Sequence, residues 1–104
     1  MSFKESQKQV DDWMKNLKIG YWQPHEILAR LMEETGELAR EVNHLYGPKK
    51  KKDAEDSKEL SAEMADILFT VICLANSLNI DLDQAFELMM DKINNRDKDR
   101  WEKK

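Results

Sequence analysis

Between residues 24 and 45 apolar side chains return every three or four positions, at Ile27, Leu31, Leu38, Val42 and Leu45, with Leu28 at the edge. At 100° per residue they share one band of a helical wheel, so the spacing predicts an amphipathic helix. Pro24 suits the first turn of that helix and Gly47-Pro48 stops it. An earlier helix is expected from about Phe3 to Leu17, carrying a thin stripe of Phe3, Val10, Met14 and Leu17. Ser2 and Glu5 have capping-box spacing at its start, and Lys18-Ile19-Gly20 ends it. A third helix is expected from near Ser57 or Glu59 to about Leu78. A fourth starts after Asp81 and Gln84, which have capping spacing, and runs through Ile93 towards Trp101. The fold class is therefore all-α, a four-helix bundle-like arrangement, and residues 1–104 read as one domain.

The third segment is the most apolar. Met64, Ile67, Leu68, Val71, Ile72, Ala75 and Leu78 occupy one wide face, and Phe69, Cys73 and Leu74 extend it round the other side. A helix apolar on nearly every side should be buried on nearly every side. Four helices in about a hundred residues bury little, so this surface predicts that oligomerisation completes the bundle. Trp13 and Trp101 then read as packing or interface residues, Met89 and Met90 as core or contact residues, and Cys73 as buried and inert.

Against this pattern several carboxylates are out of place. Glu34 falls inside the apolar band of the second helix, flanked by Glu37 and Glu41, while Glu33 points further out. Glu63 and Asp66 lie one turn apart at the N-terminal end of the third helix, on a common edge with Thr70. If the two helices pack antiparallel, Glu34 and Glu37 lie opposite Glu63 and Asp66. Four negative charges in a low-dielectric gap require protons or a cation. An all-oxygen set suits a hard divalent ion, Mg²⁺ with Mn²⁺ as a substitute, where a phosphate supplies further ligands. A di-iron bundle would want a Glu-x-x-His pair from each of two helices, and the sequence has only one, Glu41-x-x-His44, so that design is disfavoured.

Composition narrows the class. The net charge of −4 over 104 residues gives no global positive field for nucleic acid. Three Gly and two Pro favour long helices over many strands, and the lone Cys73 excludes a disulfide framework and fits a reducing, cytoplasmic setting. The N-terminus lacks a signal-peptide apolar stretch, and the apolar run near 67–75 is too short to span a bilayer, so no membrane partner is expected. The run KKKKDAEDSK at 49–58 reads as a solvated loop, or as a positive flap that meets a polyanionic substrate.

E33-E34-T-G-E37-L followed by E63-M-A-D66 resembles the EExxE…ExxD pattern of the MazG-like nucleotide pyrophosphohydrolases, relatives of the all-α dimeric dUTPases and dCTPases. The likeness spans roughly Trp22 to Trp101. It implies Glu34, Glu37, Glu63 and Asp66 as metal ligands, with Glu33 or Glu37 orienting or deprotonating water as the catalytic groups. It implies Mg²⁺-dependent cleavage of a nucleoside or deoxynucleoside triphosphate between the α- and β-phosphates, to monophosphate and pyrophosphate, including nucleotide-pool house-cleaning. It further implies a homo-oligomer, dimer or tetramer, with active sites near subunit contacts.

Cations must also hold the outer phosphates. Lys92, Arg96 and Arg100 form one stripe on the fourth helix with Asn94 and Asn95 beside it, and look like the family's phosphate-contacting segment. The same stripe reads equally as a solvated face paired with Asp91, Asp97 and Asp99. Lys92, Asn95, Arg96 and Trp22 are the candidate substrate contacts, Trp22 either stacking on a base or anchoring the packing. The competing reading of the whole chain is a non-catalytic helical oligomerisation module.

Overall fold

A computed structural model of the chain describes residues 2–48, 58–97 and 99–101. The described residues form four α-helices: α1 (Phe3–Met14), α2 (Pro24–Tyr46), α3 (Lys58–Ser77) and α4 (Leu82–Asp97). Three of them, α1, α2 and α4, begin where local chemistry supplies a cap. Ser2 Oγ accepts from the Glu5 amide at 3.1 Å, while Glu5 accepts from the Ser2 amide at 3.3 Å. Pro24 opens α2 next to a Gln23 amide held by Glu26 at 3.0 Å, and Asp81 accepts from the Gln84 amide at 3.2 Å before α4.

The ends are equally local. At Gly47 a Cβ would meet the Asn43 carbonyl at 2.7 Å, so only glycine lets the chain leave α2 there. Asn79 takes φ 57° after α3, and the Ile80 amide reaches back to the Ala75 carbonyl at 2.8 Å. Two ends differ from expectation. α1 stops at Met14 rather than Leu17, because the Asn16 and Leu17 amides turn to carbonyls only three residues back, at 3.2 and 3.0 Å. These tight turns carry the chain to Gly20, at φ 64°. α4 ends at Asp97 rather than continuing to Trp101, the Arg100 amide closing a turn on the Asp97 carbonyl at 3.0 Å. The 49–58 loop reading lies outside the described residues except at Lys58, where α3 begins.

α2 and α3 form the main packed pair, and α1 lies against α3. Glu37 of α2 is hydrogen-bonded to Glu63 of α3, while residues 27–34 of α2 share a cavity with residues 66–73 of α3, so the pair runs antiparallel. α1 also opposes α3, with Gln7 bonded to Asn76 and the Trp13 ring edge-on to Phe69 at 6.3 Å. α4 is attached at its N-terminal end to the start of α1. Asp83 accepts from the Phe3 and Lys4 amides, each at 3.0 Å, and Phe86 packs on Phe3 at 5.5 Å.

Among the described residues the buried apolar set is small: Met14, Ile27, Leu45, Ile72, Cys73 and Ala75. The expectation that α3 is buried all round fails within one chain, since Met64, Leu68, Phe69 and Leu78 remain exposed. No described residue of α4 is buried, and Phe86, Leu88, Met89 and Met90 all face outward. The radius of gyration is 17.1 Å, against about 13 Å for a compact domain of this length. The accessible area of 8605 Å² exceeds by roughly 2,500 Å² what a compact monomer of this mass presents. α3 is also longer and more apolar than the run at 67–75 suggests: Glu59–Ser77 is long and apolar enough to cross a membrane by length and composition alone. Glu63 and Asp66 sit inside that stretch, and an acidic residue at mid-bilayer costs about 2.5–3.5 kcal/mol.

Candidate metal centre and adjoining cavity

The carboxylate that breaks the apolar band of α2 is the most deeply placed charge described. Glu34 is 1% exposed, comparable only to Leu45 among large side chains. An ionised carboxylate at that depth requires a compensating charge. Part of it comes from Arg30, one turn earlier on the same helix, whose Nη2 donates to Glu34 Oε1 at 2.6 Å. The Arg30 guanidinium also lies 3.5 Å from Glu33 Oε2. Glu34 Oε2 is buried with no hydrogen-bond partner in the protein.

The antiparallel pairing brings α3 to the same place. One oxygen each of Glu34, Glu37 and Glu63 lies within 4.8 Å of the others. Glu63 Oε2 is a second buried oxygen without a partner. Two orphaned carboxylate oxygens in a three-carboxylate cluster fit a hard divalent cation, which would satisfy both at once. Asp66, one turn along α3, is exposed and lines the adjoining cavity; its backbone carbonyl accepts from Thr70 Oγ1 at 2.8 Å. Glu41, also expected on this face, is buried.

Electrostatics within the cluster follow from this crowding. Burial, a hydrogen bond with Glu37 and repulsion from Glu37, Glu34 and Asp66 push the Glu63 carboxyl up to about 7. A raised carboxyl favours folding while it holds its proton. That stabilisation is complete below the ordinary value of 4.5 and is lost as pH rises through about 7. The melting temperature of metal-free protein in EDTA is therefore expected to fall from pH 5 to pH 8. Saturating Mg²⁺ should flatten or reverse that slope, because cation binding displaces the proton. A metal-free melting temperature that rises over this range would contradict the arrangement.

Beside the carboxylates lies a cavity of about 390 Å³. Glu34, Arg30 and Asp66 form its polar side, and its apolar walls include Trp13, Trp22, Ile27 and Phe69. α1 and the turns after it supply one wall, through Met14, Leu17, Ile19, Gly20 and Tyr21. Trp22, a candidate contact in the sequence, therefore lies at the cavity, half exposed. Trp13, read from sequence as a packing residue, lines it as well. Arg30 and Tyr21 were not singled out. The i, i+4 spacing of Arg30 to Glu34 was a usable signal, whereas the cavity position of Tyr21 depends on long-range packing.

The remaining candidates lie elsewhere in the chain. Lys92, Asn95 and Arg96 are exposed on α4 and do not line the cavity of their own chain. Arg96 pairs with Asp97 at 3.1 Å, and Arg100 sits 5.2 Å over the Trp101 ring while also reaching Asp97 at 3.5 Å. His25 is exposed in the first turn of α2 and does not line the cavity. Cys73 is buried, and burial raises its thiol pKa, as expected of an inert cysteine.

Known proteins resemble this chain over most of its length. The YpjD protein of Bacillus subtilis (strain 168) is 52% identical over 103 residues, covering 99% of this chain and 93% of that protein. YvdC of the same organism is 30% identical over 97 residues, covering 84% of this chain and 92% of that protein. The crystal structure of Bacillus subtilis YpjD matches with a TM-score of 0.84 at 49% identity, over 90% of this chain and 96% of that one. A second crystal structure, of the Bacillus-conserved MazG protein, a nucleotide pyrophosphohydrolase, matches with a TM-score of 0.81 at 47% identity, over 95% and 96% of the two chains. The family model for the MazG nucleotide pyrophosphohydrolase domain matches residues 23–101, which take in all four carboxylates, α4 and the Trp22-proximal start of α2. With an all-helical fold, an acidic cluster between α2 and α3, and these matches, the chain belongs to the MazG nucleotide pyrophosphohydrolase family.

Proposed function

We propose that this protein hydrolyses a nucleoside or deoxynucleoside triphosphate to the monophosphate and pyrophosphate, with Mg²⁺ held by Glu34, Glu37, Glu63 and Asp66. The observation that carries the reading is that Glu34 belongs both to the carboxylate cluster and to the wall of an aromatic-lined cavity. A triphosphate at the carboxylates then has a place for its nucleoside in the same pocket.

When bound, Mg²⁺, or Mn²⁺ in its place, polarises phosphate oxygens and offsets charge on the leaving pyrophosphate. The chain's own groups do the rest. Glu37, more exposed than Glu34 and hydrogen-bonded to Glu63, orients or deprotonates the attacking water, with Glu33, which lies 3.5 Å from the Arg30 guanidinium, as the other acidic candidate. Trp22 and Trp13 offer flat apolar surfaces to the base, a contact any nucleobase can make. Arg30 holds Glu34 in place and itself lines the cavity.

Lys92, Asn95 and Arg96 serve the outer phosphates from the α4 of a second copy. The roughly 2,500 Å² of surplus surface supports a homo-oligomer, because obligate interfaces bury about 2,000–5,000 Å². A cytoplasmic enzyme without nucleic-acid or membrane partners fits the net charge of −4 and the free, buried Cys73.

The test is a panel of NTPs and dNTPs assayed separately for pyrophosphate and orthophosphate. Pyrophosphate is expected as the first product, abolished by EDTA and restored by Mg²⁺. Orthophosphate as the first product, or turnover without a divalent cation, overturns the proposal.

A further inference from the structure

One part-buried polar network has no part in the carboxylate chemistry, yet it ends on the cavity. Asn76, near the C-terminal end of α3, uses its whole amide. Its Oδ1 accepts from Gln7 Nε2 at 2.9 Å, and its Nδ2 donates to the Gln7 carbonyl at 3.0 Å and to Tyr21 Oη at 2.9 Å. Gln7 is equally committed. Its Nε2 also donates to the Ile80 carbonyl at 2.8 Å, and its Oε1 accepts from the Leu82 amide at 3.0 Å. Tyr21 Oη then donates to Asp11 Oδ1 at 2.8 Å. Asp11 is steadied in turn by Lys15 at 3.2 Å. One cluster thus joins α1, the segment between α1 and α2, the end of α3 and the start of α4.

Tyr21 lines the cavity, while its hydroxyl is fixed between Asp11 and Asn76. Its neighbours Gly20 and Trp22 line the cavity too, and Gly20 is held at φ 64°. That segment is otherwise a run of turns with few backbone bonds of its own, so the two bonds at Tyr21 Oη set where the wall stands. Asn76 is ten residues along α3 from Asp66, the nearer of the two proposed ligands on that helix, about 15 Å at the rise of an α-helix.

We propose that Tyr21, anchored by Asn76 and Asp11, is a positioning residue that sets the width of the nucleoside cavity and so the enzyme's preference among bases. This rests on the reading of the cavity as the nucleoside site. Tyr21 acts through Trp22 and the adjoining wall and not on the phosphates.

The decisive comparison is Tyr21→Phe against wild type, on the best nucleoside triphosphate and on methyl triphosphate, which has phosphates but neither base nor sugar. Loss of the two bonds is expected to raise KM for the nucleotide about fivefold, with kcat within about twofold, and to leave KM for methyl triphosphate unchanged. Discrimination between best and second-best nucleotide should narrow. Asp11→Ala should show the same split, and Asp11→Asn, which keeps the accepting oxygen, should restore it. A Tyr21→Phe protein that merely melts lower, or whose KM moves equally for both compounds, overturns the proposal. Quenching of Trp13 and Trp22 fluorescence by nucleotide gives a readout independent of turnover. A wild type that binds nucleotide but releases no pyrophosphate overturns the catalytic reading alone, and the Tyr21 comparison is then made on Kd. A wild type that binds no nucleotide overturns both.

Discussion

Glu34→Gln is expected to abolish metal-dependent pyrophosphate release while leaving the helical far-UV spectrum intact. The substitution is nearly isosteric, so the packing around a side chain 1% exposed is kept. What disappears is the negative charge that fits the buried Oε2 to a cation. Loss of an outer-shell partner of a metal ligand already costs about 10–100-fold, so loss of the ligand's charge should cost on the order of 10³-fold or more. The metal-linked stability should go with it. A cation at 100 times its Kd stabilises a native protein by about 2.7 kcal/mol, a rise of roughly 10 °C or more in the melting temperature of a domain of this size. Wild-type protein should show that rise on adding Mg²⁺, and Glu34→Gln should show little of it. Arg30 need not suffer in the variant, because its guanidinium is 50% exposed and can turn to water. Full turnover in Glu34→Gln, or an undiminished Mg²⁺ shift, would sink the ligand assignment.

That prediction begins from a feature visible in the sequence alone. On a helical wheel Glu34 occupies an apolar slot, and the structure buries it. The caps at Ser2, Pro24 and Asp81 were legible for the same reason: each depends on residues within one turn. The end of α1 was not. Leu17 continues the apolar stripe, but it faces the cavity from a turn rather than from a helix. Periodicity cannot distinguish those, since both place an apolar side chain inward. The Tyr21–Asn76 bond joins residues 55 apart in the chain, and no local pattern reports a contact at that separation. Trp13 was illegible for a related reason. An aromatic residue on a helix face reads as packing until a neighbouring segment leaves space beside it. The apolar circumference of α3 reads in the sequence as a surface needing cover, and within one chain Met64 and Leu68 stay exposed. A wheel gives the faces that must be buried and says nothing about which chain buries them.

Arg30→Met should show whether Mg²⁺ can replace the guanidinium as the counter-charge of Glu34. Arg30 Nη2 donates the 2.6 Å bond to Glu34 Oε1, while Oε2 has no hydrogen-bond partner in the protein. Removing the guanidinium leaves a buried carboxylate without compensation and with Glu37 and Glu63 close by. Breaking a fully buried pair costs about 3–5 kcal/mol, and the half-exposure of Arg30 lowers the expectation to about 1–3 kcal/mol. Urea unfolding in EDTA should report a loss in that range. With saturating Mg²⁺ the gap between variant and wild type should close by half or more, because a divalent ion at the carboxylates supplies the charge that the guanidinium did. Arg30→Lys should fall between the two, since it keeps the charge and loses the planar fork that holds Glu34 and Glu33 together. The sign of the Mg²⁺ effect decides the matter. A purely structural Arg30–Glu34 pair predicts the same loss with and without the ion, whereas a carboxylate poised between an internal arginine and an external cation predicts a loss that Mg²⁺ repairs. Equal stability of Arg30→Met and wild type in EDTA would show that Glu34 does not depend on the guanidinium at all.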